Sequence, residues 1–233
     1  MKLAIMQPYI FPYIGYFQLI NAVDKFVIYD DVNYINKGWI NRNKILVNNN
    51  ETLFTIPLQK ASQNKKIREI EINYTQKGIN KFIKTIQNSY SKAPNYSKVS
   101  TFIEDILLHK MYKNISELNT YSIKQICNYL NITTPIIDSS SIYENEELKA
   151  QYRILDICKK EKATVYINPI GGKEIYDKPL FEKQNIDLFF IKSEPVIYSQ
   201  YKENFVPFLS IIDIMMFNSK ETIQYFLSKY QLL

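Results

Sequence analysis

Two short apolar runs in the first 30 residues, Leu3–Met6 and Phe26–Tyr29, most constrain what this chain can fold into. Loop-forming residues bound each run, as they bound buried strands. The residues between the runs, Gly15–Ala22, have room for one short helix. A strand, a helix and a strand in this order predict a parallel strand pair, and therefore an α/β fold.

Strand patterns continue to about residue 72. Ile40–Val47 and Thr52–Leu58 flank the Asn-rich turn Asn48–Asn50, an arrangement typical of a β-hairpin. A further strand is predicted from three isoleucines that partly alternate along the chain, Ile67, Ile70 and Ile72.

From about residue 77 to residue 131 the apolar residues recur at helical spacing, with breaks at Pro94 and near Ser116. The patterns beyond this segment predict, in order, a helix over Leu148–Lys160, strands over Val165–Ile167 and Leu188–Ile191, and helices over about Leu209–Phe217 and Thr222–Tyr230. The sequence thus predicts one α/β domain over residues 1–233. We expect a Rossmann-like, mostly parallel sheet with flanking helices, a β-hairpin and a helical middle segment.

The composition is that of a globular protein, and its positive charge balance is consistent with acidic partners. Of 233 residues, 46% are hydrophobic and 22% are charged, so the chain can bury a core without disulfides or metal. The net charge of +6 favours partners such as sugar nucleotides, nucleic acid or a membrane surface. The many Asn, Ile, Lys and Tyr residues are equally typical of the codon bias of an AT-rich genome.

Cysteine usage and the first twenty residues bear on location. Cys127 and Cys158 each lie in an apolar helical pattern without a CxxC motif or a nearby histidine, which argues against a zinc site or a disulfide framework and predicts reduced core residues. Pro8 and Pro12 interrupt the early apolar stretch, so we expect neither a signal peptide nor a membrane span. These features predict a cytoplasmic protein.

Two early loops carry candidate site residues. Ligands of open parallel sheets bind beyond the carboxyl ends of strands, so Gln7 and Tyr9 after the first strand are candidate substrate-binding residues, with a packing loop as the plainer alternative. After the second strand, Asp30 and Asp31 are candidate general bases, or alternatively metal ligands, and an extended strand end would turn only one of them toward a cleft. Nearby lie a ring, amides and cations suited to a sugar, base or phosphate: Lys37, Trp39, Asn41, Arg42 and Asn43.

A third loop follows the strand Val165–Ile167. Adjacent glycines there would let the backbone approach a phosphate, although the loop lacks the GxGxxG and GxxxxGKS patterns and a plain turn is equally consistent with it. The candidate binding residues of this loop are Asn168, Gly171, Gly172, Lys173 and Tyr176. Ser139–Ser141, by contrast, is predicted to cap the segment that follows it.

His109 is the sole imidazole of the chain and lies in a helical run, where a histidine is more often structural than catalytic. We retain it as the reserve base. A pair formed by His109 and a cysteine would allow covalent acyl transfer, but Cys127 and Cys158 both have core patterns.

The chain resembles a known family. The segment QPYIFPYIGYF with DKFVIYDDVNYINKGWINRNKI, and farther on DSSSIY, VYINPIGGKEIYD and FVPFLSIIDIMMFN, is similar to the WbqC-like family of bacterial proteins over residues 1 to about 218. Many relatives have histidine where this chain has Met6. The matching positions are Gln7, Pro8, Tyr9, Pro12, Gly15, Asp30, Asp31, Asn41, Arg42, Asn43, Ser140, Tyr166, Gly172, Tyr176 and Asp213.

The family is found among genes for O-antigen and other surface polysaccharides, so the resemblance implies a pathway better than a reaction. The principal hypothesis is an enzyme that transfers an acyl or aminoacyl group to the amine of a nucleotide-linked amino sugar, with a carboxylate as base. No cofactor follows from the sequence. One alternative is a non-catalytic nucleic-acid-binding module, supported by the basic run Lys65–Arg68 and the many tyrosines. Another is an enzyme similar to nucleotidylyltransferases, whose HxGH loop the Met6–Pro8 segment resembles without the imidazole.

Overall fold

The structure, a computed structural model, describes residues 1–74, 76–201 and 204–233, without the side chains of residues 76 and 77. Within these residues the main sheet has six strands in the order β5–β2–β1–β6–β7–β8. All are parallel except β8, which pairs antiparallel with β7. The strands of this sheet are β1 (Lys2–Met6), β2 (Lys25–Ile28), β5 (Ile136–Ile137), β6 (Val165–Pro169), β7 (Asp187–Ser193) and β8 (Tyr230–Leu232). Numbered in chain order, this is the 3-2-1-4-5-6 arrangement of doubly wound folds.

Eight α-helices lie in the described part of the chain. They are α1 (Ile14–Asn21), α2 (Gln76–Tyr90), α3 (Tyr96–Leu108), α4 (Ile115–Tyr129), α5 (Ala150–Lys160), α6 (Lys178–Glu182), α7 (Ile211–Phe217) and α8 (Lys220–Phe226). The second, third and fourth form the predicted helical middle segment. Over these same residues, every helix falls short of the length and apolar character needed to cross a bilayer.

Alternation along the strands builds two cores, one on each face of the main sheet. Ala4 and Phe26 point into the core that contains α1, α4 and α7. Leu3 and Val27 point to the other face, where α5 and α6 cover them. The helical middle segment shares the first core with the sheet. That the whole chain forms one domain stays a prediction.

The predicted hairpin consists of β3 (Arg42–Val47) and β4 (Asn50–Thr55), which pair antiparallel as a separate two-stranded sheet. Phe54 of β4 stacks on Phe82 of α2, with ring centroids 4.1 Å apart. The backbone N–H of Leu46 donates to Tyr90 Oη at the end of α2 (2.8 Å). These contacts attach the hairpin to the helical segment.

Three local predictions differ from the structure. Of the isoleucines predicted as a strand, Ile67 begins a 3₁₀ turn, Ile67–Glu69, and Ile70 follows it. The turn forms because Ile67 and Ile70 are three residues apart and reach the same core from it. The predicted break near Ser116 lies earlier, since Asn114 caps α4 by accepting from Glu117 N (2.9 Å). The last predicted helix stops at Phe226, and the chain continues into the edge strand β8.

Candidate functional site

The carboxyl ends of the parallel strands lie side by side at one edge of the main sheet. Met6 at the end of β1 pairs with Ile28 at the end of β2, and β6 borders β1 on its other side. The chain then leaves β1 at Gln7, β2 near Asp30 and β6 at Ile170–Gly172. The strand order reverses between β1 and β6, the point where doubly wound sheets open a crevice for ligands. Three of the predicted loops therefore meet at this edge.

Asp30 is buried at this edge and bound by two hydroxyls. Its Oδ1 accepts from Ser139 Oγ (2.6 Å), and its Oδ2 accepts from Ser116 Oγ at the start of α4 (2.7 Å). Burial raises the pKa of Asp30, and the two hydroxyl donors oppose that rise. Ser139 is only half-buried, and its Oγ also accepts from Ser141 N (3.2 Å), as predicted for a cap. Of the two serines that bind Asp30, Ser139 is therefore the one that is partly exposed, since Ser116 is buried.

Asp31 has a different environment, since an arginine neutralises it. One carboxylate oxygen pairs with the Arg153 guanidinium of α5, and the other accepts from Ser140 Oγ. Arg153 Nε also donates to Asn145 Oδ1 (2.9 Å). The side chains of Asp31 and Arg153 are 0% and 5% exposed. Both oxygens of Asp31 are thus engaged inside the protein, where they tie the end of β2 to α5.

The first loop and the Trp39–Asn43 segment, two separate motifs, are neighbours. Ile10 N donates to Ile40 O (3.1 Å), and Asn43 Nδ2 donates to Ile10 O (3.2 Å). A buried residue that the sequence analysis missed, Asn119 of α4, donates through Nδ2 to both Pro8 O (3.2 Å) and Ile40 O (2.8 Å). The sequence pattern around Asn119 did not indicate this role, because a polar residue in an amphipathic helix is ordinarily exposed. Asn119 clamps the two loops to each other.

Some candidate residues of the second loop are buried and bonded within the protein, and others are exposed. Asn41 is buried, accepting from Tyr34 Oη (2.9 Å) and donating to Ile56 O (2.8 Å). Asn43 is buried as well. Arg42 is half-buried, and its Nε donates to a backbone oxygen of the same loop (2.7 Å). The remaining two, exposed to solvent, are Lys37 and Trp39.

The β6 loop holds its candidates close to a buried tyrosine. Asn168 Nδ2 donates to Tyr166 Oη (2.8 Å), which also lies 3.4 Å from Tyr176 Oη. Asn168 Oδ1 lies so near Gly172 that a Cβ there would overlap it, so the close approach requires glycine at this position. Of the candidates in this loop, Gly171 and Lys173 are exposed.

The first-loop candidates differ in how fully they are bonded. Tyr9 Oη accepts from Tyr13 N (3.4 Å), and its ring packs edge-on against Tyr16. Gln7 is half-buried, and its backbone oxygen accepts from Tyr16 Oη (3.2 Å). Within the described ranges, its side-chain amide makes no hydrogen bond. Gln7 therefore has a free donor and a free acceptor at the carboxyl end of β1.

The described contacts of His109 lie in the helical region rather than at the sheet edge. Its exposed ring stacks on Tyr121 of α4, with centroids 4.8 Å apart. The reserve-base role of His109 stays a prediction. Cys127 and Cys158 are buried and unpaired, and burial raises the pKa of each thiol to about 12. Both cysteines are therefore core residues, as the sequence predicted.

Comparisons with known proteins agree with the resemblance. The model of the WbqC-like protein family matches residues 7–225, from the first loop into α8. Over 218 residues the chain is 31% identical to a protein of Mycobacterium tuberculosis (strain ATCC 25618 / H37Rv) named uncharacterized protein Rv1507c, with 92% of each chain covered. No solved structure matches the chain. The chain belongs to the WbqC-like protein family.

Proposed function

We propose that this protein is a cytoplasmic enzyme of bacterial surface-polysaccharide biosynthesis that transfers an acyl or aminoacyl group to the amine of a nucleotide-linked amino sugar. One observation carries the proposal. The unbonded amide of Gln7 and the Asp30–Ser139 pair follow neighbouring parallel strands, next to the point where the strand order reverses. A binding amide and a carboxylate of raised pKa at a sheet crevice are what such a transfer needs.

The β6 loop supports binding of the nucleotide diphosphate. Gly171 has open space around its Cα, so its backbone can approach a ligand. Lys173 is exposed beside it and supplies a positive charge. In the second loop, Arg42 and the exposed ring of Trp39 offer a cation and a stacking face for the sugar or base.

The base in this proposal is Asp30 rather than Asp31. A neutral amine attacks the donor carbonyl carbon, the nitrogen loses a proton, and the donor's leaving group departs. Asp31 is neutralised by Arg153 and engaged at both oxygens. Asp30 has a raised pKa and accepts a hydrogen bond from the half-buried residue Ser139. The amine proton passes to Ser139 Oγ as the Ser139 proton moves to Asp30 Oδ1, since a base acts best within hydrogen-bond reach of the transferred proton.

The two alternatives have less support. In the basic run, Lys66 and Arg68 both contact the carboxylate of Glu146, which reduces the positive charge available to a nucleic acid. At the end of β1, a nucleotidylyltransferase-like loop would need an imidazole where Met6 lies. Neither alternative is adopted.

Calorimetric titration with uridine and thymidine diphosphate amino sugars tests the binding step. We expect saturable binding by the whole chain and at least about tenfold weaker binding by Gln7→Ala, which removes the free amide. The matched control is Lys162→Ala, an exposed residue that precedes β6 at the opposite edge of the sheet. Mass spectrometry of the sugar nucleotide after incubation with acyl thioesters tests the transfer. Polynucleotide binding that falls steeply with salt, without sugar-nucleotide binding, would instead support the nucleic-acid module.

A further inference from the structure

A cavity of about 120 Å³ lies between the start of α1 and the connection from β7 to α7. Its lining is mostly apolar and includes Tyr13 and Ile14 on one side and Val196, Tyr198 and Phe205 on the other. The cavity is at the same carboxyl edge as the crevice, because β7 ends at Ser193 and α1 follows the first loop. No step of the proposed transfer uses this cavity.

One wall of the cavity is the ring of Tyr13. A Cβ on Gly15 would overlap that ring, so glycine is required for the ring to lie against the first turn of α1. Tyr13 N donates to Tyr9 Oη (3.4 Å), which joins this wall to the first loop. Gly15 is one of the positions that match the family pattern. Glycine is needed there because the ring of Tyr13 packs against its Cα.

The opposite wall is held by a buried carboxylate. Asp213 of α7 is fully buried and accepts from Tyr198 Oη (2.7 Å), Gln200 Nε2 (2.8 Å) and Tyr90 Oη (2.8 Å). These bonds fix Tyr198 and Gln200, which both follow β7 in the chain, against α2 and α7. Asp213 also matches the family pattern. Two positions almost 200 residues apart in the sequence therefore fix opposite walls of one cavity, which is consequently preformed for a ligand.

We propose that this cavity binds the short aliphatic end of the acyl group carried by the donor, a chain of roughly four carbon atoms. Apolar protein cavities of about 150 Å³ hold a molecule the size of benzene, so one of about 120 Å³ holds a slightly smaller apolar group. The hydrogen bond between Tyr9 and Tyr13 places the cavity beside the first loop, next to the crevice. The assignment of the aliphatic group to an acyl donor rests on the proposed function. The binding of a short apolar chain in the cavity is independent of that function.

The test measures the affinity of the whole protein for N-acetylcysteamine thioesters with acetyl, butanoyl and octanoyl groups. Each buried methylene adds roughly threefold to fivefold in affinity, so butanoyl should bind about tenfold more tightly than acetyl. Octanoyl should bind no more tightly than butanoyl, because the cavity cannot hold the longer chain. This series uses the unaltered protein, so its result does not depend on whether any variant folds.

Val196→Trp fills the cavity from the β7–α7 connection and should abolish the preference for butanoyl. The control is Ile197→Trp, since Ile197 is 73% exposed and does not line the cavity. Equal affinity for all three thioesters would overturn the inference, as would an unchanged preference in a folded Val196→Trp protein. If Val196→Trp weakens sugar-nucleotide binding instead, the aliphatic group belongs to the acceptor, and the donor assignment is wrong. Chain-length selectivity without any sugar-nucleotide binding would support the cavity while contradicting the proposed function.

Discussion

Asp30 and Asp31 are adjacent in the chain, yet their carboxylates bind groups on opposite sides of the main sheet. Asp30 accepts from Ser116 of α4, which belongs to the first core, whereas Asp31 pairs with Arg153 of α5, which belongs to the second. Successive side chains of an extended segment alternate between faces, so one of the pair turns toward each side. The two carboxylates can therefore be tested separately.

Asp30→Asn should lower the rate of transfer by roughly 100-fold or more, because the amide cannot take up a proton. Asparagine is nearly the same size, so the dissociation constant for the sugar nucleotide should change little. Steady-state kinetics and calorimetric titration of the same preparation measure the two effects. Near-normal turnover would assign Asp30 a structural role and leave His109 or bound water as the base.

Arg153→Met should destabilise the protein by about 3–5 kcal/mol, since it leaves the buried carboxylate of Asp31 without its cation. The double variant Asp31→Asn with Arg153→Met should recover part of this loss. Urea denaturation gives the free energy of unfolding of each protein. Lys159→Met, at an exposed position of the same helix, is the control for loss of a positive charge. A loss as small as the control's would contradict the assignment of a structural ion pair.

Asn119→Ala should lower the free energy of unfolding by about 1–3 kcal/mol, because it removes the side-chain donor to the Pro8 carbonyl and one of the two donors to the Ile40 carbonyl. Sugar-nucleotide affinity should fall as well, since the two loops of the proposed site lose their clamp. Gln125→Ala on the same helix is the matched control and should leave the affinity unchanged. Unaltered binding by Asn119→Ala would show that the loops keep their positions without it.

The stability contribution of Asp213 should decrease as the pH rises. Burial raises the pKa of Asp213 in the folded protein above its ordinary value of 3.8. Below pH 3.8 the carboxyl of Asp213 is protonated in both the folded and the unfolded protein. Above pH 3.8 it ionises first in the unfolded chain, which favours unfolding until the pH exceeds the pKa of Asp213 in the folded protein. Asp213→Asn removes this titration. The free energy of unfolding of the native protein minus that of the variant should fall as the pH passes from the unfolded to the folded pKa of Asp213, and should then level off. A rise in this difference would contradict the raised pKa.

Neither cysteine should react with a thiol-specific reagent in the folded protein at pH 8. With each pKa raised to about 12, only about one thiol in ten thousand is ionised, and thiolate is the reactive form. Both should react once the protein is unfolded. Replacement of either by alanine should cost about 0.5–3 kcal/mol of stability and leave the rate of transfer intact. Complete loss of transfer in a folded Cys158→Ala protein would restore a thioester mechanism.

Sequence patterns alone located most of the helices and strands. The β1–α1–β2 unit, the β3–β4 hairpin and the helical middle segment were predicted because periodicity is a local property of neighbouring residues. The strand β5, with two residues, and the helix α6, with five, have too few residues to show a period. The edge strand β8 carried no strand pattern of its own, and it forms by pairing with β7.

The sequence by itself also determined which segments meet at the carboxyl edge, since parallel strands end there together. Only the tertiary structure decided what each side chain does at that edge. Asp30 obtains a hydroxyl from a residue 86 positions away, and Asp31 obtains its arginine from 122 positions away. Whether a carboxylate is held by hydroxyls or neutralised by a guanidinium depends on the neighbours that folding brings to it. Local periodicity carries no information about such distant partners.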